Sequence, residues 1–150
     1  MTNIGDFLKD DVINSIASQS VEQGNVYRIE LDRSNGVVPK HGDASRNKFF
    51  IVLGYDSSGF VYGGLVINSA INKSLNYRLQ QLMMPISASQ YGFLSHNSFV
   101  DCTKIMTVNT GKFLQWKYLG RLNDEDVELA IGTLEDSPLI KNETLKRFNL

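Results

Sequence analysis

The sequence predicts an α+β fold in which a small, strongly bent antiparallel β-barrel is flanked by an N-terminal helix and by C-terminal helices. Several short strand-like segments are joined by turns, and Gly63-Gly64 interrupts one of them, as residues at barrel corners do. Helical periodicity at both ends of the chain predicts the flanks. At 150 residues the chain is expected to form one domain, 1–150, with the barrel core at about 24–120.

Composition and charge exclude several classes of function. A hydrophobic content of 42% and a net charge of −1 are those of a globular protein and argue against one that coats nucleic acid by bulk electrostatics. The single Cys102 excludes an internal disulfide; with no signal-like or membrane-length apolar segment, we expect a cytoplasmic protein with no membrane partner. His41, His96 and Cys102 have none of the usual metal-ligand spacings, so we expect no metal or other cofactor, and His96 is interpreted as a turn residue.

Helices are predicted over residues 3–19 and 123–148. In the first, apolar side chains recur at i, i+3 and i+4 behind a cap at Thr2 or Asn3. Its apolar face is expected to pack on the core, or alternatively to dock a partner. The second helical region begins at an Asx cap, Asn123, with acidic residues in its first turn.

The central strand is predicted at Lys48–Gly54, a continuous apolar run that can be buried on both faces. A turn at Asp56–Gly59 leads to its hairpin partner, residues 60–67. Residues 26–31 alternate between apolar and polar, as a half-buried strand does. Further strands are predicted at 75–86, 98–106 and 113–119, with a short helical turn from Ser87 through Phe93.

A long connection, Arg33–Asn47, precedes the central strand. Loops of this length inside a compact domain are commonly functional, so we expect ligand contact at Lys40, His41 and Arg46. For His41 a phosphate contact, an acid–base role and an ordinary loop position all remain open.

Polar side chains gather where the central hairpin is expected to end. Arg46 and Lys48 are two residues apart, so in a strand they point the same way. Antiparallel pairing brings Lys48 to Asn68 and Ser69, with Lys73 shortly after. A cation, an amide and a hydroxyl together can neutralise a pentavalent phosphorane and orient a ribose 2′-hydroxyl without metal. The alternative is a set of solvated polar strand ends.

Five segments resemble, in the same order, parts of the MazF/PemK-type toxin endoribonucleases, and the match spans about residues 24–134. They correspond to that family's opening strand, its second strand, the end of its third strand, a later strand with active-site residues and the step into its last helix. The segments are Gly24–Leu31, Lys48–Leu53, Val66–Ser69, Ser98–Thr103 and Gly120–Glu125.

The resemblance implies an SH3-like barrel, a homodimer and metal-independent cleavage of single-stranded RNA, neutralised by an antitoxin made of protein or RNA. The related ToxN/AbiQ toxins favour a lysine at the start of the second strand and a Thr-Ser pair after the third, to which Lys48 and Asn68-Ser69 are similar. CcdB, a gyrase poison without nuclease activity, shares the fold, so the fold alone does not define the chemistry.

These observations assign expected roles. Lys48 is expected to stabilise the phosphorane, Asn68 and Ser69 to position the 2′-hydroxyl and phosphate, and His41 to act as the candidate base. The residues expected to bind RNA are Arg28, Lys40, Arg46 and Lys73.

The chain departs from the family pattern at the expected active site. Lys48 replaces the usual arginine and Asn68 the usual threonine, and Asp101 and Thr103 stand where many of these enzymes have Arg and Asp. Loss of that acid–base pair favours an alternative function: a non-catalytic barrel that binds a protein partner, as a CcdB-like poison or an antitoxin-binding module.

Overall fold

Seven strands and three α-helices form the part of the chain that the structure, a computed structural model, describes: residues 21–32, 35 and 45–150. The predicted helix over 3–19 and most of the long connection, including Lys40 and His41, lie outside these residues. The strands are β1 (Asn25–Asp32), β2 (Ser45–Asp56), β3 (Val61–Asn68), β4 (Met83–Ile86), β5 (Ser98–Asp101), β6 (Met106–Asn109) and β7 (Lys117–Arg121). The helices are α1 (Tyr77–Gln80), α2 (Asp124–Glu135) and α3 (Asn142–Arg147), and a 3₁₀ segment spans Thr110–Gln115.

The strands make one antiparallel sheet in the order β4-β5-β3-β2-β1-β7, with β6 paired to the first half of β3. The predicted α+β class is therefore confirmed. The predicted barrel is not: across the described strands, β4 and β7 are edges that do not pair with each other. The described helices also include none with the length and apolar character needed to cross a bilayer.

The sheet has a bulge where the sequence predicts one, at Gly63-Gly64. Val52 pairs with Gly64 and Gly54 pairs with Gly63, so Leu53 is an extra residue in β2 and makes a bulge there. On the other side of β3, residues 61–64 pair with β6, whereas Ile67 and Asn68 pair with β5. The bulge thus lies near the point where the partner of β3 changes from β6 to β5. Beyond that point, the end of β3 lies between β2 and β5.

Two clusters of buried side chains hold the sheet. The first includes the apolar stripe of α2, Val127, Ala130 and Leu134, which packs on residues of the central strands. The second is aromatic, with Tyr27 and Tyr62 packed together with Phe50 and bordered by the half-buried Trp116. Pairing of β1, β2 and β3 therefore has apolar support from two separate clusters.

Two predicted strands are shorter than expected because local side-chain hydrogen bonds compete with the sheet. In 75–86 the Asn76 side chain accepts from Leu79 N at 2.9 Å and caps α1, so only β4 is extended. In 98–106 the chain turns between β5 and β6, where Asp101 Oδ1 accepts from Thr103 N at 3.0 Å.

Other boundaries differ by less. The predicted strand at 113–119 begins as the 3₁₀ segment and is extended in β7, and the predicted helical turn after Ser87 is a turn in which Ser87 O accepts from Gln90 N and Tyr91 N. The C-terminal helices and the Asx cap are confirmed, since Asn123 Oδ1 accepts from Asp126 N at 2.8 Å.

Candidate functional site

A cleft of about 210 Å³ lies where β2 begins and β3 ends. Three pieces of chain form it: the start of β2, the end of β3 and the segment that leads into β5. The described lining residues are Arg46, Asn47, Lys48, Phe49, Ile67, Asn68, Ser69, Leu94, Ser95, His96 and Ser98.

Lys48 and Asn68 meet at this cleft as the sequence predicts. Phe49 pairs with Ile67, so the next position along brings Lys48 beside Asn68, and Lys48 Nζ donates to Asn68 Oδ1 at 2.6 Å. Both side chains are partly buried at the rim of the apolar core. Because Asn68 is neutral, this contact orients the ammonium group without cancelling its charge.

Arg46 and Ser69 complete the predicted group. Arg46 lies two residues before Lys48 on the same strand and lines the same cleft, and Ser69 follows Asn68 at its exposed end. Among the described lining residues there is no carboxylate, so with Arg46 and Lys48 the cleft carries positive charge. Such a concave, positive surface favours an anion.

His96 also lines this cleft, although the sequence predicts only a turn residue at that position. It does lie in a bend, just before β5, and its carbonyl accepts from Ser98 Oγ at 3.0 Å. The register shows why it reaches the site: Asn68 pairs with Phe99, which brings the residues before Phe99 alongside the chain after Asn68. His96 is thus brought to the site by the pairing of β3 with β5, which no local feature of the sequence reports.

Two of the predicted RNA-binding residues lie elsewhere. Lys73 is exposed in the connection after β3, where its carbonyl accepts from Gln80 Nε2 at 3.3 Å, and it is not among the residues that line the cleft. Arg28 lines a second, larger cleft of about 640 Å³. Lys40 and His41 lie outside the described residues.

The second cleft has a balanced charge. Arg28 and Lys117, which are register partners across β1 and β7, line it together with Glu30 and Asp32. The smaller cleft is therefore the better candidate for a phosphate, despite its size. Asn47 lines both, so the two clefts adjoin along β2.

Asp101 and Thr103, the departures from the family pattern, have structural roles. Asp101 is 8% exposed, and its Oδ1 accepts from Thr103 Oγ1 at 2.6 Å as well as from Thr103 N. The Thr103 carbonyl accepts from Ser137 Oγ at 2.6 Å, which ties this turn to the C-terminal region. The pair fixes the turn after β5. Neither residue lines the smaller cleft, which contains Lys48 and is called the Lys48 cleft below.

Cys102, between them, is fully buried as the sequence predicts. Burial raises the pKa of its thiol to about 12, with the Asp101 charge as a further cause. A thiol in this state is not a nucleophile.

Comparison with protein-family models and with curated proteins gives no match for this chain. Within residues 21–32, 35 and 45–150, no group of three or more His, Cys, Asp or Glu side chains is placed to hold a metal ion. The resemblance to the MazF/PemK-type toxins remains a prediction that rests on the five segments.

Proposed function

We propose that this protein is a metal-independent endoribonuclease that cleaves single-stranded RNA, the toxin of a toxin–antitoxin or phage-defence module. The observation that carries the proposal is the contact of Lys48 Nζ with Asn68 Oδ1 at 2.6 Å, in a positively charged cleft that Arg46 and Ser69 also line. The ordered resemblance to the MazF/PemK-type toxins supports the same activity.

In the proposed reaction the 2′-oxygen of one nucleotide attacks the adjacent phosphorus. The bond from O2′ to phosphorus forms as the bond from phosphorus to O5′ breaks, which gives a 2′,3′-cyclic phosphate and a 5′-hydroxyl. Lys48 and Arg46 stabilise the added negative charge of the phosphorane. Asn68 and Ser69 hold the 2′-hydroxyl in line with the leaving oxygen.

The flanking RNA is proposed to cross Asn47 into the larger cleft. Arg28 and Lys117 stand side by side there, and two like charges opposite each other on neighbouring strands favour an anion between them. The half-buried Trp116 and the amide of Asn109 also line this cleft and offer contacts to a base.

The test compares purified wild type with Lys48→Ala on single-stranded RNA in the presence of a chelator. We expect the wild type to cleave and the variant to lose about 10²–10³-fold in rate, the range for removal of one preorganised charge donor. Lys146→Ala, at an exposed position on α3, is the matched control and should cleave like the wild type. Circular dichroism and urea unfolding check that both variants are folded.

Cleavage by Lys48→Ala at the wild-type rate would refute the assignment of this cleft. Loss of wild-type cleavage on chelation would refute metal independence.

A second candidate function is a non-catalytic protein that binds a partner. The observation that favours it is that Thr103 donates both its backbone N–H and its hydroxyl to Asp101 Oδ1, at the position where the enzymes that this chain resembles have an acid–base pair. Induced expression in a bacterial host separates the two functions: growth arrest with RNA cleavage supports the nuclease, and growth arrest with intact RNA supports the partner-binding protein.

The proposed partners, besides RNA, are an antitoxin of protein or RNA and a second copy of the chain. They rest on the resemblance. Sedimentation of the purified protein, alone and with the product of any small neighbouring gene or RNA repeat, tests both.

A further inference from the structure

His96 lines the Lys48 cleft on the side away from Lys48. β3 lies between β2 and β5, so the end of β3 is flanked by Lys48 on one side and by His96, just before β5, on the other. A phosphate held over Asn68 and Ser69 therefore lies between an ammonium group and an imidazole.

His96 is held in place by its neighbours. The buried Ser98, 4% exposed, donates to the His96 carbonyl at 3.0 Å, and the Asn97 side chain accepts from Ala88 N at 2.9 Å. These bonds fix the backbone on which the imidazole is carried. Ser95 Oγ lies 3.1 Å from His96 Nδ1, so Nδ1 has a local partner and Nε2 is the ring atom that can serve a ligand.

The other side chains in this part of the fold do not suit proton transfer. The guanidinium of Arg46 does not release a proton in proteins, and Lys48 is assigned to the phosphorane charge. Asp101 is buried in its own turn, and Cys102 has a raised pKa. Among the described residues that line the cleft, His96 has the side chain best suited to proton transfer, since one imidazole nitrogen can donate a proton and the other can accept one.

We propose, as an extension that rests on the proposed function, that His96 is the general acid that protonates the 5′-oxygen as it leaves. In-line displacement places the attacking and leaving oxygens on opposite sides of the phosphorus. With the 2′-hydroxyl at the Lys48–Asn68 pair, the leaving oxygen faces His96. The imidazolium gives its Nε2 proton to O5′, the 2′-hydroxyl proton passes to solvent water, and the neutral imidazole regains a proton from solvent after product release.

The experiment uses two versions of one RNA oligonucleotide, the ordinary phosphodiester and one with sulfur in place of the bridging 5′-oxygen. A thiolate leaves without protonation, so only the ordinary substrate needs a general acid. We expect His96→Gln to cleave the ordinary RNA about 10²–10⁴-fold more slowly than the wild type and to cleave the sulfur-bridged RNA at nearly the wild-type rate. Lys48→Ala should be slow on both, because phosphorane stabilisation is needed for either leaving group.

Binding and pH dependence separate a catalytic role from a structural one. His96→Gln should bind a 2′-deoxy analogue, which cannot react, as tightly as the wild type, and its pH–rate profile should lose the limb that the imidazole supplies. Equal losses on the two substrates would overturn the general-acid role, as would an unchanged rate on the ordinary RNA. If the wild type cleaves neither substrate, the proposed function itself fails and this inference fails with it.

Discussion

At the scale of single residues, the partner of a cation decides what that cation can do. Arg147 Nε bonds Asp56 Oδ2 at 2.7 Å, so its charge is balanced by a carboxylate and serves the fold. Lys48 Nζ donates to the neutral amide of Asn68, and this contact orients the ammonium group in the cleft. A hydrogen bond to a neutral acceptor suits an oxyanion site, because that contact positions the cation without adding a competing negative charge.

The Asp56 contacts predict a pH dependence of stability. Hydrogen bonds from Ser58 and then the Arg147 guanidinium lower the pKa of Asp56 from 3.8 to about 2. A lowered pKa in the folded state means that the stabilisation is present above the unfolded pKa and is lost as the pH falls toward the folded one. Asp56→Asn should therefore melt at a lower temperature than the wild type at pH 7, and the difference should shrink between about pH 4 and pH 2.

Differential scanning calorimetry across this pH range makes the measurement. Glu143→Gln removes an exposed carboxylate of α3 and is the charge-matched control, for which we expect little change. A melting difference for Asp56→Asn that stays constant down to pH 2 would show that the carboxylate charge is not the source of the stability.

At the scale of elements, the parts of the site that local sequence predicts are those joined by a short hairpin. The turn at Asp56–Gly59 sets the register of β2 and β3, so antiparallel geometry alone brings Lys48 to Asn68 or Ser69, and the bulge at Leu53 selects Asn68. The pairing of β3 with β5 is not local: about thirty residues, including α1 and β4, separate Asn68 from Phe99. No turn signal reports such a pairing, so the sequence predicts only a turn residue at His96.

The element boundaries that differ from the prediction have a local cause instead. A strand over 75–86 follows from apolar residues at alternate positions, but the Asn76 side chain caps a helical turn instead. The 98–106 segment reads as one strand until the hydrogen bonds from Thr103 to Asp101 are known. In both places a short polar side chain bonded to nearby backbone overrides strand propensity.

The packing of the C-terminal segment against β2 gives a prediction for a glycine. A Cβ at Gly54 would lie 2.1 Å from the Phe148 carbonyl oxygen and 2.7 Å from Phe148 Cβ. Because Phe148 is 1% exposed and part of the core, Gly54→Ala should displace this segment and lower the free energy of unfolding by about 1–3 kcal/mol or more. Urea unfolding measures the loss.

Gly132→Ala is the matched control for that experiment. Gly132 lies on the exposed face of α2, and nothing lies within 4 Å of a Cβ built there. The change should raise the stability by about 0.5–1 kcal/mol through helix propensity. A neutral or stabilising Gly54→Ala would mean that the C-terminal segment does not pack tightly on β2.

At the scale of the whole molecule, one sheet carries both clefts. The start of β2 lines the smaller cleft, and β1 and β7 line much of the larger cleft. Asn47, on β2, lines both clefts. A net charge of −1 over the chain argues against strong non-specific binding, so the proposed RNA binding depends on these local cations. A substrate that spans both clefts would meet Arg46 and Lys48 first and Arg28 with Lys117 further along.

This arrangement predicts that the importance of the larger cleft depends on RNA length. Arg28→Ala and Lys117→Ala should weaken the binding of an oligonucleotide long enough to pass Asn47, and each should reduce the slope of log affinity against log salt by about 0.7, the value for one phosphate contact to a single strand. A dinucleotide reaches only the Lys48 cleft, so its cleavage should change little in these variants. Lys48→Ala should impair both substrates alike, because the scissile phosphate is the same in each.

Titrations of fluorescent RNAs at several salt concentrations, with Lys146→Ala as the control, make the comparison. Equal losses on the dinucleotide and the long RNA would place Arg28 and Lys117 at the scissile phosphate, while no loss on either would remove the larger cleft from the RNA path.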